Sequence, residues 1–226
     1  MPKDQGGMGI RNLKLHNNAL MANLVAKLLS GAGGPCFSWL AQWYLNQQIP
    51  TTATRQDTPL WRSMLPLISL VQQTTRCRLG NGRSTAFWHD LWLEAGRLQL
   101  IYPILYSFAS NQSCTVASQR ANGSWNLKLI EPLSFTAEIQ LNNLMAHLTQ
   151  MTQPVDNEED ARQLITTSRT PSTSAFYNLI SDRGERWNQA KWVWLQPVPK
   201  RHKVFLWLAY RGRLNTKNNM TKKCWT

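Results

Sequence analysis

Apolar residues in this chain recur at helical spacing in short bursts, and each burst is cut off by glycine or proline. That pattern allows a set of short helices and forbids long ones. From Asn12 to Leu29 the residues Leu13, Leu20, Leu24, Ala26, Leu28 and Leu29 sit among helix formers, with Asn12 placed to cap the start and Gly31, Gly33, Gly34 and Pro35 as a stop. Phe37, Leu40, Ala41 and Tyr44 follow at i, i+3, i+4 and i+7, predicting a second helix over about 36–46 before Pro50. Pro59 suits a first helical turn, and Leu60, Trp61, Met64, Leu65 and Ile68 continue it, with Pro66 expected to kink the run. Further on, Ser134 with Glu138 opens a helix through Ile139, Leu141, Leu144, Met145 and Leu148. Ser172 or Thr173 opens another, bearing Phe176, Tyr177, Leu179 and Ile180. Val204, Trp207, Leu208 and Arg211 mark a helix stopped by Gly212, with Trp207 expected in the core. A last helix begins near Asn215 or Thr216 and carries Met220 and Trp225.

Between Arg76 and Leu93 the period changes. Asn81-Gly82 lies between Leu79 on one side and Ala86, Phe87 and Trp88 on the other, the arrangement of a tight hairpin turn, so a two-stranded hairpin is expected here. An isolated hairpin is marginal in water, and Trp88, Trp92 and Leu93 are the expected packing surface. Residues 103–131 read as irregular, Asp156 to Asp160 as an acidic surface turn, and 161–170 as a strand. The fold class is therefore mainly α with a small β-hairpin (α+β), in two loosely packed helical halves. The expected division is 1–100, an irregular connector at 101–133, and 134–226.

Composition narrows the function. The chain has 226 residues, 42% of them hydrophobic and 16% charged, so it is not a disordered polyelectrolyte. Its longest unbroken apolar run, Val204 to Tyr210, has seven residues, against roughly twenty needed for a membrane-spanning helix. The N-terminus lacks the apolar stretch of a secretory signal, and Cys36, Cys77, Cys114 and Cys224 are widely scattered, which fits a reducing intracellular compartment.

Charge is distributed unevenly. Residues 1–189 carry a net +4, whereas 190–226 hold nine basic residues, Lys191, Lys200, Arg201, Lys203, Arg211, Arg213, Lys217, Lys222 and Lys223, and no acidic one. Clustered cations attract phosphate backbones and release their counterions, which makes RNA or DNA the first partner to test, with a merely solvated basic face as the competing reading. The expected nucleic-acid contacts are Lys200, Arg201, Lys203, Arg211, Arg213, Lys217, Lys222 and Lys223. Trp192, Trp194, Phe205, Trp207, Tyr210 and Trp225 interleave with them. Aromatic faces flanked by cations can stack single-stranded bases, though tryptophans at helical spacing more often build core.

Catalytic signals are sparse. His89-Asp90 is the obvious acid/base pair, but adjacent side chains point apart on a helix or a strand. His16 and His147 are lone imidazoles in helical stretches, and His202 lies in a run of cations that favours its neutral form. No Cys-x-x-Cys or comparable zinc spacing occurs, and Gly6-Gly7-Met8-Gly9 lacks the Lys-Ser/Thr of a phosphate loop. The expectation is no catalytic residue, no metal site and no cofactor.

Several segments resemble, in order, the region downstream of the polymerase domain in plant non-LTR (LINE-type) retrotransposon reverse transcriptases. PKDQGGMGIRN (Pro2 to Asn12) is similar to the segment closing the polymerase domain, and LGNGRSTAFWHDLWL (Leu79 to Leu93) to the Gly-Asn-Gly and Phe-Trp-x-Asp-x-Trp elements. STSAFYNL (Ser172 to Leu179) is similar to a Ser-Ala-Tyr helix, and Trp192 to Trp225 resembles the start of the reverse-transcriptase zinc-binding domain, with its Lys-x-x-x-Phe-Leu-Trp helix and Arg-Leu-x-Thr turn. The family's Tyr-Ala-Asp-Asp polymerase motif is absent. Cys224 falls at a variable position, so no zinc ligand carries over. The resemblance implies a truncated, non-catalytic retroelement-derived fragment that binds RNA or DNA without sequence readout, with the remainder of a retroelement polyprotein as a further partner and no membrane. The alternatives are an inactive structural or pseudogene product and, least favoured, a cryptic enzyme at His89-Asp90.

Overall fold

Asn12 opens the first helix as its position predicts. Its side-chain oxygen accepts from the N–H groups of Lys14 and Leu15 at 2.9 and 3.2 Å, and α1 runs Leu13–Leu28. The computed structural model describes residues 2–31, 34–45, 48–50, 52–121, 123–151 and 158–222. Pro35 begins α2 (Pro35–Tyr44), and Thr58 caps α3 (Pro59–Thr74) by accepting from Trp61 N–H at 3.2 Å. The expected kink at Pro66 does not break α3. Pro66 lies on the exposed face, where the carbonyl it leaves unpaired can turn to water, while Trp61, Met64, Leu65, Ile68 and Val71 stay buried.

The chain continues through β1 (Thr75–Arg78), α4 (Leu98–Ile101), α5 (Pro103–Ser107), β2 (Arg120–Ala121), β3 (Ser124–Trp125) and α6 (Phe135–Gln150). After these come β4 (Ala161–Leu164), α7 (Thr173–Ser181), α8 (Ala190–Trp194), α9 (Lys200–Tyr210) and α10 (Lys217–Lys222). Helices take up about half of the chain, and the fold is mainly α with two small antiparallel ribbons. Ser134 caps α6 and Ser172 caps α7, each accepting at 3.3 Å from the N–H three residues on.

Two compact units result, Met1–Asn17 with Tyr177–Thr226, and Asn18–Phe176. The division does not fall in the 101–133 stretch, which lies inside the larger unit and is largely turns and bends around the short α5, β2 and β3. Leu98, Tyr102 and Leu105 from α4 and α5, with the adjoining turn, pack with Phe87, Trp88 and Trp92, and Leu144 and Leu148 of α6 complete the core.

The hairpin expected around Asn81-Gly82 is absent. β1 pairs instead with β4, Thr75 opposite Leu164 and Arg78 opposite Ala161. Residues beyond Gly80 wrap as a loop around a carboxylate that sequence reading had placed on the surface. Asp160 is buried, and one of its oxygens accepts from Gly80 and Gly82 N–H at 2.8 and 2.9 Å. The other accepts from Ser84 N–H and from the hydroxyls of Ser84 and Thr85 at 2.8 to 3.1 Å. Backbone N–H groups of the alternate residues Gly80, Gly82 and Ser84 cradle an anion here, and the anion is the protein's own. Gly80 is required by this wrapping, since a Cβ there would sit 2.5 Å from the carbonyl oxygen of Glu158.

Two residues on, Arg162 is buried and forks onto Asp90 at 2.8 and 2.6 Å. Its remaining donors reach the carbonyls of Leu29 and Ser84 and the Thr75 hydroxyl, and Asp90 also accepts from Ala86 N–H at 2.7 Å. Burial alone would lower the guanidinium pKa, but the Asp90 carboxylate reverses that and holds it above the ordinary value. A buried pair stays charged only when its lone pairs and protons are matched in this way.

Breaking the pair leaves a buried charge unpaired, so Asp90→Ala or Arg162→Ala should each cost about 3–5 kcal/mol in urea unfolding followed by near-ultraviolet circular dichroism. The Asp90→Leu/Arg162→Met double variant should lose less than the sum of the singles. Small, additive losses would show that the pair does not organise this unit.

Candidate nucleic-acid interface

In the smaller unit both ends of the chain close on one another. Trp207 Nε1 and an Arg211 guanidinium nitrogen both donate to the Gly6 carbonyl, at 2.9 and 2.7 Å, and Trp187 N–H donates to the Asp4 carbonyl at 2.8 Å. Gly6 has φ +80°, the left-handed region that favours glycine, and a Cβ on it would lie 2.1 Å from that Arg211 nitrogen and displace the guanidinium. Arg211 also lies 5.8 Å above the Trp187 ring, whose edge meets Tyr210. Gln5 donates to Asp182, and Arg186 pairs with both Asp4 and Asp182. The Gly184 N–H donated to Asp182, aided by the Arg186 charge, lowers that carboxyl's pKa, so its contribution to stability is present at neutral pH and is lost as the pH falls into the acid range.

The basic residues separate into two groups. Lys203 is half-buried and donates from Nζ to the Trp194 carbonyl at 3.0 Å, and Arg211 is committed to Gly6 and Trp187. These two hold the unit together, a role the charge count could not distinguish from ligand contact. Lys200, Arg201, Arg213 and Lys217 are exposed. The Lys222 side chain and the whole of Lys223, Cys224 and Trp225 lie outside the described residues. Trp207, expected in the core, is half-buried instead, with its indole N–H donating to the carbonyl of buried Gly6.

Charge partition is sharper than the sequence implied. The smaller unit holds fourteen basic and three acidic residues, a net +11, against +2 for the larger. Two of its three acids, Asp4 and Asp182, are engaged by Arg186. Lys3, Arg11 and Lys14 from the N-terminal segment join the basic set and are exposed. Sequence reading confined the basic surface to 190–226. What it could not see was which distant segment folds against it.

His89 and Asp90, the candidate acid/base pair, engage different partners. Asp90 is sequestered by Arg162, while His89 faces the Tyr106 hydroxyl at 3.5 Å. His147 meets the Tyr102 hydroxyl at 3.0 Å, and burial raises the pKa of both tyrosines. A cleft of about 590 Å³ in the larger unit is bordered by Ser38, Gln42, Asn81, Arg83, Ser118 and Glu159. Asp160, on its wall, already accepts hydrogen bonds at both oxygens.

Among the described residues no three histidine, cysteine or acidic side chains gather as metal ligands, and no helix is long and apolar enough to cross a membrane. Cys77 is buried with its Sγ 2.9 Å from the Thr85 hydroxyl, and burial pushes its pKa up to about 12; burial likewise takes Cys114 to about 11. Cys36 is exposed.

Native protein treated with iodoacetamide near pH 8 should therefore be alkylated at Cys36 but not at Cys77 or Cys114, by peptide mass spectrometry. An unfolded thiol ionises near pH 8.5 while these two stay neutral, so folding stability should fall as the pH rises past that value toward 11–12. Native-state labelling of Cys77 would contradict this.

Residues 172–226 match the family model described as zinc-binding in reverse transcriptase. No curated protein and no solved structure matches the chain. Within the matched segment, His202 is exposed on α9 and no ligand group forms around it among the described residues, so these residues do not fit a zinc ion. The match supports a retroelement-related origin and a reverse-transcriptase zinc-binding-like region over 172–226.

Proposed function

We propose that this chain is a non-catalytic, retroelement-derived protein of the plant LINE type whose smaller unit binds RNA or DNA through phosphates, without reading sequence. The net +11 of that unit is the observation that carries the reading. A field of that size self-repels in the free protein and is relieved by a polyanion. Lys200, Arg201, Arg213 and Lys217 are the contacts, since their side chains are exposed and Lys203 and Arg211 are engaged in holding the unit. The LINE assignment rests on the Gly-Asn-Gly and Phe-Trp-x-Asp-x-Trp elements together with the matched C-terminal segment. The absence of catalysis is supported by the Asp90–Arg162 pair, which removes the carboxylate a His89-Asp90 site would need.

Fluorescence anisotropy with two unrelated oligonucleotides of equal length should give similar affinities for the intact chain. Charge reversal at Lys200, Arg201, Arg213 and Lys217 together should weaken both by at least about tenfold, with circular dichroism unchanged. Negligible binding by the intact chain would favour the inactive-remnant reading.

A further inference from the structure

Lys3, at the opposite end of the sequence from the basic tail, lies with Nζ 5.1 Å from the Trp194 ring centroid. Lys203 reaches the carbonyl of the same tryptophan at 3.0 Å. Two ammonium groups thus flank one residue, and Lys203 stands in the first turn of α9 beside the exposed Lys200 and Arg201. No acid occurs in α8, α9 or the segment joining them, and Asp4, next to Lys3, is paired with Arg186. The positive charge around Trp194 is therefore not cancelled from within.

The same elements expose aromatic surface. Trp192 on α8 is 69% exposed, and Phe205 and Tyr210 on α9 are 57% and 58% exposed. Arg201 and Phe205 are four residues apart on α9, so a cation and an aromatic ring share its solvent face. The outer face of a surface helix is ordinarily polar, and aromatic rings displayed there among cations are suited to unpaired bases. In a duplex the bases are already stacked on one another, and these rings would gain nothing from them.

We infer that the interface is composite, made by Lys3 from the N-terminal segment together with Lys200 and Arg201 of α9, and that its ligand is single-stranded polynucleotide, stacked on Trp192 and Phe205. This rests on the phosphate-binding reading above and extends it in two respects, the participation of the N-terminal segment and the strandedness of the ligand.

The test uses the full chain with fluorescein-labelled oligo(dT) of 20 nucleotides and a mixed-sequence 20-base-pair duplex at the same salt. Single strand should bind about tenfold or more tightly than duplex. Lys3→Gln and Lys3→Glu should each weaken both probes, the reversal by more. Trp192→Ala/Phe205→Ala should weaken the single strand several-fold and leave the duplex unchanged; both rings are exposed, so folding should survive, as circular dichroism would report. If both Lys3 variants bind like wild type while reversal of Lys200, Arg201, Arg213 and Lys217 abolishes binding, the composite interface is wrong and phosphate binding by the C-terminal segment stands. Equal or tighter binding of duplex overturns the stacking assignment. No binding of either probe by the intact chain overturns both readings.

Discussion

Two buried carboxylates and one buried guanidinium hold together the segments at Leu29, Thr75 and Gly80–Asp90 with the start of β4 in the larger unit. Asp160 gathers the loop at Gly80–Thr85, and Arg162 ties Asp90 to the Leu29 carbonyl just past the end of α1 and to the backbone of that same loop. Asp160 immediately precedes β4 and Arg162 lies within it, opposite Cys77 of β1, so both sit at the β1–β4 pairing. The cost of burying three charges is offset only by near-complete hydrogen bonding, so the network is intolerant of partial loss. It also explains why the Phe87, Trp88 and Trp92 core forms where it does, since Asp90 anchors the segment that carries those rings.

Charge divides the molecule differently. Where the larger unit neutralises its charges internally, the smaller one accumulates cations and retains few acids to oppose them. The contrast separates two uses of a basic residue. Arg162 is buried and matched, and Lys203 and Arg211 pin backbone carbonyls, while Lys200 and Arg201 stand in solvent at the start of a helix whose dipole disfavours them. Cations placed against a helix dipole and against each other do not favour folding, and under the proposed function a polyanion offsets them.

Helices were legible in the sequence because their signals are local. Asn12, Thr58, Ser134 and Ser172 each bond within three residues, and apolar spacing across α3 tracks its buried face. The 76–93 segment was misread for a physical reason. Asn-Gly encodes a turn but not what the turn encloses, and the partner, Asp160, lies about eighty residues away. In the same way the acidic run at 156–160 reads as surface because all five of its residues are polar, and nothing local distinguishes Asp160, which is buried. The basic tail was visible as composition; its division into structural and exposed cations, and the addition of Lys3, needed the contacts at Gly6 and Trp194.

The central claim is that the smaller unit neutralises phosphates, and the dependence of affinity on salt tests it most directly. For a single-stranded oligonucleotide, the logarithm of the binding constant should fall linearly with the logarithm of salt concentration, by about 0.7 per phosphate contacted. Engagement of Lys200, Arg201, Arg213 and Lys217 predicts a slope of about −3. A slope near zero, with binding that persists at high salt, would contradict the account.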